Sequence, residues 1–337
     1  MNTGQKRFLA LIIALLIGIT IPIALILNSQ QPNSNLELTK IGQIDTGGGT
    51  EYVKVVGDIA YVIDQGEPTP GGLVLINVSD PANPSQLSSF HDGGWPQSLD
   101  VVEDIVYVAD TIEGLEIIDV SDPRNPSEIG QYRGSGEVYD VQVIDDIAYI
   151  ADWNNGLVII NVTEPSNPSY MSSCAIVGAA PHLHIANNMA FVIDHRSESS
   201  GFVAVDISDP HDPDFAVGYV PDADLWNPFV LEDYMYVCNH GEEGGELQIL
   251  DMTNLSNITQ IGMFTAGGFI FAVQVESDIA YLAGAEDGLL VVNITNPQEP
   301  RLLDSFYDGG VAVNLDFVND IIYVADRSGG LEIFQLS

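Results

Sequence analysis

The chain has 337 residues, 48 of them Asp or Glu against 9 Lys or Arg, for a net charge of -39 at pH 7. Such a surface repels phosphate backbones and anionic headgroups, which excludes nucleic-acid partners. The two cysteines, Cys174 and Cys238, stand at different places in the repeat described below, too far apart for a disulfide, and read as buried thiols.

Residues 8–27, FLALIIALLIGITIPIALIL, run for 20 positions without a charge. A helix rising about 1.5 Å per residue covers about 30 Å over that length, the thickness of a bilayer core. Lys6 and Arg7 precede it, which predicts a cytoplasmic segment 1–7 and a domain displayed outside the cell. No small-x-small cleavage site follows. The reading is therefore an uncleaved signal-anchor transmembrane helix in the cell membrane, its rival being cleavage and a secreted protein. Residues 28–37, NSQQPNSNLE, form a polar linker, and 38–337 the folded domain.

That domain repeats one phrase seven times. An acidic or Asn residue precedes a short apolar run: Asp58-IAYVID, Asp104-IVYVAD, Asp146-IAYIAD, Asn188-MAFVID, Asp233-YMYVCN, Asp278-IAYLAG and Asp320-IIYVAD. These anchors lie 46, 42, 42, 45, 45 and 42 residues apart, a period that means a propeller or solenoid. In residues 97–132, QSLDVVEDIVYVAD reads as two strands meeting at an acidic turn. LEIIDV, the turn SDPRNPS and EIGQYR complete a four-stranded antiparallel meander. The second and third strands are apolar on both faces, so each sheet needs a neighbour on each side, which radial stacking supplies.

A Gly before the third strand recurs as Gly72, Gly114, Gly156, Gly201, Gly245, Gly288 and Gly330, as a turn at positive φ requires. The chain ends on GLEIFQLS, a third strand with no fourth, while a spare fourth-type strand, LTKIGQID, occupies 38–45. Pairing the two closes a ring. The predicted fold is all-β: a seven-bladed β-propeller of four-stranded antiparallel blades, closed by an N-terminal strand and preceded by one transmembrane helix.

The phrases GLEIIDVSDPRNP and GLVIINVTEP, with AYVAD-type strands upstream, resemble the LVIVD-repeat family of exported bacterial and archaeal proteins. The resemblance covers about residues 41–337. It implies a β-propeller at the cell surface or beyond, and brings no catalytic residues with it.

In a meander, the loops from strand two to three and from strand four to the next blade share one end, the top. There the loops are long and varied, and binding on a rigid scaffold usually sits in such loops. His91, His182, His184, His195 and His240 fall at or near this end, with Trp95, Trp153 and Trp226. Two polar rows mark the innermost strands. Six residues before the anchors stand Tyr52, Ser98, Asp140, His182, Asn227, Ala272 and Asn314; four before stand Lys54, Asp100, Gln142, His184, Phe229, Gln274 and Asp316. Period-two alternation sends them to one side, toward a wet central channel.

The candidate ligand-binding residues are therefore Trp95, Asp100, Asp140, Trp153, His182, His184, His195, Trp226 and His240. Asp100, Asp140, His182 and His184 combine carboxylates with imidazoles, the ligand types of a transition metal, while carboxylates with amides suit Ca2+. Side chains that merely hydrate a channel are the bland alternative, and no cofactor is expected. The strand-ending Asp64, Asp110, Asp152, Asp194 and Asp326 suit a calcium ring or, more simply, local caps on backbone N–H groups.

No P-loop, G-x-S-x-G, H-E-x-x-H or CxxC occurs. The leading expectation is a membrane-anchored extracellular binding module, an adhesion or scaffold domain. Its partner is a cell-envelope protein, peptide or glycan. A metal-dependent propeller hydrolase with its site at the channel mouth is the alternative.

Overall fold

The computed structural model describes residues 37–337 apart from 67–68, 92, 135, 196–199, 222–223 and 242–243. The expected membrane helix, the cytoplasmic segment and all but the last residue of the linker lie outside the described residues. Among the described residues, no helix is long and apolar enough to cross a membrane.

Seven four-stranded antiparallel sheets follow one another, each in simple meander order. Blades 1 to 6 span residues 49–90, 96–132, 138–174, 183–219, 225–265 and 272–306. Blade 7 takes three strands from 312–336 and its outermost strand, Leu38–Ile44, from the start of the domain. Leu38 pairs with Leu336 and Ile44 with Leu331, so the ring closes as the sequence predicts.

Three of the anchor residues, Asp146, Asn188 and Asp320, owe their chemistry to a tight hairpin between strands one and two. In the other blades only the residue before the anchor, Gly57, Glu103, Glu232 or Ser277, has positive φ. Asp145 and Asp146 sit at φ 49° and 63°, Asn187 and Asn188 at 53° and 61°, Asn319 and Asp320 at 53° and 64°. Two successive left-handed residues make the hairpin turn that matches strand twist, and Asp and Asn tolerate that region best.

The doubly apolar strands bury both faces. Seven hydrophobic clusters lie between adjacent sheets; one joins Tyr107, Leu115 and Ile117 of blade 2 to Val141, Ile150 and Val158 of blade 3. Another joins Val53, Val62 and Val74 of blade 1 to Leu331 and Ile333 of blade 7 across the ring closure. Cys174 and Cys238 are free thiols, as expected; Cys238 is buried, but the expectation of burial is corrected for Cys174, which is only half-buried.

The recurring glycines divide into two kinds. Gly114, Gly156, Gly288 and Gly330 have φ between 71° and 89°, as predicted. Gly72, Gly201 and Gly245 do not, and for them the positive-φ expectation is corrected. At these three a Cβ would collide with the backbone of the following top loop: Phe90 O, Tyr219 O and Ile270 N respectively. In these blades the second and third strands run on past the glycine, pairing Gly66 with Thr69, His195 with Ser200 and Gly241 with Gly244. The glycine therefore lies within the ladder, and only the close approach remains.

Candidate functional site

The innermost strands place the two polar rows where alternation puts them, and the structure shows what their oxygens do. In the lower row, Asp316 Oδ2 accepts the Val55 N–H at 2.6 Å and Asp100 Oδ2 the Val143 N–H at 2.7 Å. Gln142 Oε1 accepts from Ile185 at 2.7 Å, and Gln274 Oε1 from Phe317 at 2.9 Å. In the upper row, Asn314, Ser98 and Asp140 accept from Val53, Val141 and Leu183 at 3.1, 3.3 and 3.0 Å. Every one of these bonds runs from one blade to the inner strand of the next. An innermost strand is a sheet edge whose N–H groups need acceptors, and the polar rows supply them.

This girdle changes character in two places. In blade 1 the lower position is Lys54, which donates to Asp100 Oδ1 at 2.5 Å. In blades 4 and 5 the acceptors give way to rings. His184 packs on Phe229 at 5.0 Å between centroids, His182 on Trp226 at 5.6 Å, and His195 edge-on to Trp226 at 4.3 Å. His195 Nε2 also lies 2.9 Å from the Leu225 carbonyl oxygen. Burial lowers the His184 pKa to about 4, so its imidazole is neutral.

Trp226 reaches this position through a shifted bulge. In blades 2, 3 and 7 the residue opposite Ala109, Ala151 and Ala325 is the upper-row Ser98, Asp140 and Asn314. In blade 5 the equivalent Cys238 faces Trp226, and Asn227 takes the bulge with φ 40°. The expectation that Asn227 continues the upper row is therefore corrected: Trp226 stands in register there.

The channel inside the girdle holds a cavity of about 420 Å³. Its wall includes Tyr52, Tyr139, Trp226, Phe229 and Phe271, with the amides Gln97, Gln142, Gln274, Asn227 and Asn314 between them. Asp140, Asp316, Glu51, Lys54, Arg327, His182 and His184 complete the lining. Arg327 is held by Glu51 at 2.8 Å and lies over the Phe271 ring at 5.6 Å. Burial raises the Asp140 pKa to about 6, against the lowering effect of its bonds to Ser98 and the Leu183 and Val141 N–H groups. Tyr52 is raised well above 10, first by burial and then by the charges of Asp140, Asp100 and Asp316.

Of the nine residues singled out in the sequence, Asp140, His182, His184 and Trp226 line this cavity. Two others support it from behind: Trp153 packs on Tyr139 at 4.8 Å, and His195 on Trp226. Asp100 lies below, buried, its oxygens taken by Lys54 and by the Val101 and Val143 N–H groups. Trp95 stands half-exposed on the blade 2 loop, away from the lining. The His240 side chain lies outside the described residues.

Tyr139, Phe271 and Arg327 join the wall without having stood out in the sequence. Tyr139 falls at the bulge just before the upper row, and Arg327 directly after the strand-ending Asp326. Both positions are legible once the bulge is known.

Asp140 and His182 approach to 4.0 Å, the nearest carboxylate–imidazole pair of the proposed metal set. Among the described residues, the group with ligand atoms within 4.8 Å of one another is a different one, Asp308, Asp326 and Glu332. There the Lys40 ammonium binds Glu332 at 2.6 Å and Asp308 at 2.7 Å, and so supplies the counter-charge itself. Three of the strand-ending aspartates, Asp110, Asp152 and Asp326, act as local caps, and Asp194 accepts the Gly178 N–H of the incoming loop. Asp152 Oδ1 accepts from Asn154 and Asn155 at 3.0 and 2.9 Å, and its Oδ2 from Gly136 of the incoming loop at 2.6 Å. Asp110 and Asp326 repeat the local part of this pattern.

The LVIVD repeat pattern matches residues 47–92, 93–133, 135–176, 177–220, 224–266 and 268–308, which are blades 1 to 6 with their incoming top loops. The chain belongs to the LVIVD repeat family. Its seventh unit is the blade split between the two ends of the domain. No curated protein matches the sequence. Among solved structures, this LVIVD propeller is similar to YCF48 bound to D1 peptide, with a TM-score of 0.65 at 11% identity over 91% of this chain and 98% of that one. It is also similar to the computationally designed Ika8 protein, with a TM-score of 0.61 at 10% identity over 88% and 99%. At such identities the likeness is one of fold.

Proposed function

We propose that this LVIVD propeller is a binding module that holds a segment of a cell-envelope protein, peptide or glycan in the cavity of its channel. The observation that carries this reading is the division of labour around the channel. Most polar side chains of the two rows are engaged in tying blades together, while the rings of Tyr139, Trp226 and Phe271 line the same cavity beside them. A concave site with aromatic walls and a few fixed polar groups suits recognition. The likeness to YCF48, solved with D1 peptide bound, supports a polypeptide partner over a small metabolite. Display outside the cell on the 8–27 anchor belongs to the same proposal.

The alternative, a metal-dependent hydrolase, rests on the Asp140–His182 approach and the raised Asp140 pKa. The experiment is a screen of the purified protein against peptide and glycan arrays, with Trp226→Leu and Tyr139→Ala beside the parent. Binding that both substitutions remove supports the module. A stoichiometric divalent ion in the purified protein, with ester or phosphoester turnover that EDTA removes, replaces it with the hydrolase.

A further inference from the structure

The chemistry of the cavity narrows the partner further. Of the charged groups in the wall, the two cations are already matched: Lys54 to Asp100 at 2.5 Å and Arg327 to Glu51 at 2.8 Å. The carboxylates of Asp140 and Asp316 have no Lys or Arg partner, and Asp140 has only the His182 imidazole nearby, at 4.0 Å. Asp140 takes the Ser98 hydroxyl and the Val141 and Leu183 N–H groups, and Asp316 takes Val55, Phe317 and the Gln274 amide. All of these are neutral donors. Among the described residues no Lys or Arg makes an ion pair with either carboxylate.

Rings stand beside them. Tyr139 and Trp226 face the same space, their positions fixed by Trp153 and His195 behind. Carboxylates with no Lys or Arg partner, beside aromatic faces, form the surroundings that attract an organic cation. Around the cavity lies a chain of net charge -39, whose field draws cations in and turns anions away.

We propose that the cavity receives a lysine or arginine side chain from a partner polypeptide, its charge held by Asp140 and Asp316 and its stem against Tyr139 and Trp226. This deepens the binding-module reading and rests on it. An acidic segment would meet two carboxylates, and a neutral sugar would leave both without a counter-charge.

The test is calorimetry on the full-length protein in detergent, near pH 7.5. The probes are acetyl-Gly-Gly-Lys-Gly-Gly-amide, the same peptide with norleucine or Glu at the centre, and a neutral chitooligosaccharide. The lysine peptide is expected to bind at least about tenfold more tightly than the norleucine one, and to weaken as salt rises. Asp140→Asn keeps an oxygen for the Leu183 N–H and removes the charge, so it is expected to lower affinity about tenfold, as is Trp226→Leu. Glu128→Gln, exposed on the outermost strand of blade 2 and outside the cavity lining, leaves affinity unchanged.

Equal or tighter binding of the norleucine, Glu or sugar probe, lost in Trp226→Leu, overturns the cationic partner while keeping a binding cavity. The cationic partner is overturned in the same way if Asp140→Asn and Asp316→Asn both bind the lysine peptide as the parent does. Absence of any Trp226-dependent binding overturns both readings.

Discussion

Asp100 of blade 2 accepts the Val143 N–H of blade 3 through Oδ2 and the Lys54 ammonium of blade 1 through Oδ1, so one carboxylate ties three blades. It lies buried, and so does Val143, whose N–H has no ready substitute in water. Asp100→Ala leaves the Val143 N–H without its acceptor and Lys54 without its counter-ion. We expect a loss of about 3 kcal/mol, read as a lowered urea midpoint. Asp100→Asn keeps the acceptor for Val143 and loses only the charge, and is expected to lose less than half of that. Equal losses in the two variants would place the effect in the charge rather than the backbone bond.

Asp140 makes a similar bond, but at a buried position that raises its pKa to about 6 from 3.8. The folded state therefore holds this proton more tightly than the unfolded chain. The group's favourable contribution is full below pH 3.8 and is lost as pH climbs through 6. Asp140→Asn does not titrate, so its stability relative to the parent should improve between pH 4 and 7 by up to about 3 kcal/mol. Paired urea titrations across that range check the sign. A difference that is flat with pH, or that grows in the parent's favour, contradicts it.

The ring was legible because its cause is local. Each anchor hairpin, glycine and doubly apolar strand repeats at a fixed spacing, and the spare segment 38–45 could complete only the last sheet. The polar rows were legible as positions too, since alternation alone selects Asp100, Asp140 and Asp316. What their oxygens touch was not, because the partner is a backbone N–H some 43 residues away, and every residue type carries one. The shift that brings Trp226 into the row in place of Asn227 was also hidden. A bulge moved by one residue changes no composition, and its only mark is a left-handed φ at Asn227.

Outer edges are joined by a different device. At Gly42, Gly130 and Gly262 an added Cβ would overlap a carbonyl of the proline turn on the next blade: Pro81, Pro165 and Pro297. Ser88 and Ser172 instead donate to the corresponding Pro123 and Pro210 oxygens at 2.6 and 2.5 Å. The obstacle is backbone, which cannot swing away as a side chain can. Gly262→Ala should therefore lower stability by about 2 kcal/mol. In Gly218→Ala the new methyl meets only the Phe215 ring at 3.5 Å, and the change should be near neutral. Thermal melts of the two variants side by side test the contrast.

The closing strand offers the last prediction. Lys40 reaches from Leu38–Ile44 to Glu332 on the neighbouring strand, beneath a Phe306 ring 5.7 Å from its nitrogen. Burial lifts the Glu332 pKa to about 7 even with this ammonium beside it. A carboxylate raised above its unfolded 4.5 favours the fold while protonated, and that advantage fades as pH rises through 7. Above that pH, Lys40 is what makes the buried charge tolerable. Lys40→Met should then destabilise the ring by about 3 kcal/mol at pH 8.5, and by under about 1 kcal/mol at pH 6, where Glu332 holds its proton. Pairing it with Glu332→Gln removes the charge and should abolish the pH dependence. Urea midpoints at the two pH values decide it: a Lys40→Met penalty of the same size at both would mean that the lysine acts through packing and through Asp308, with no part played by the ionisation of Glu332.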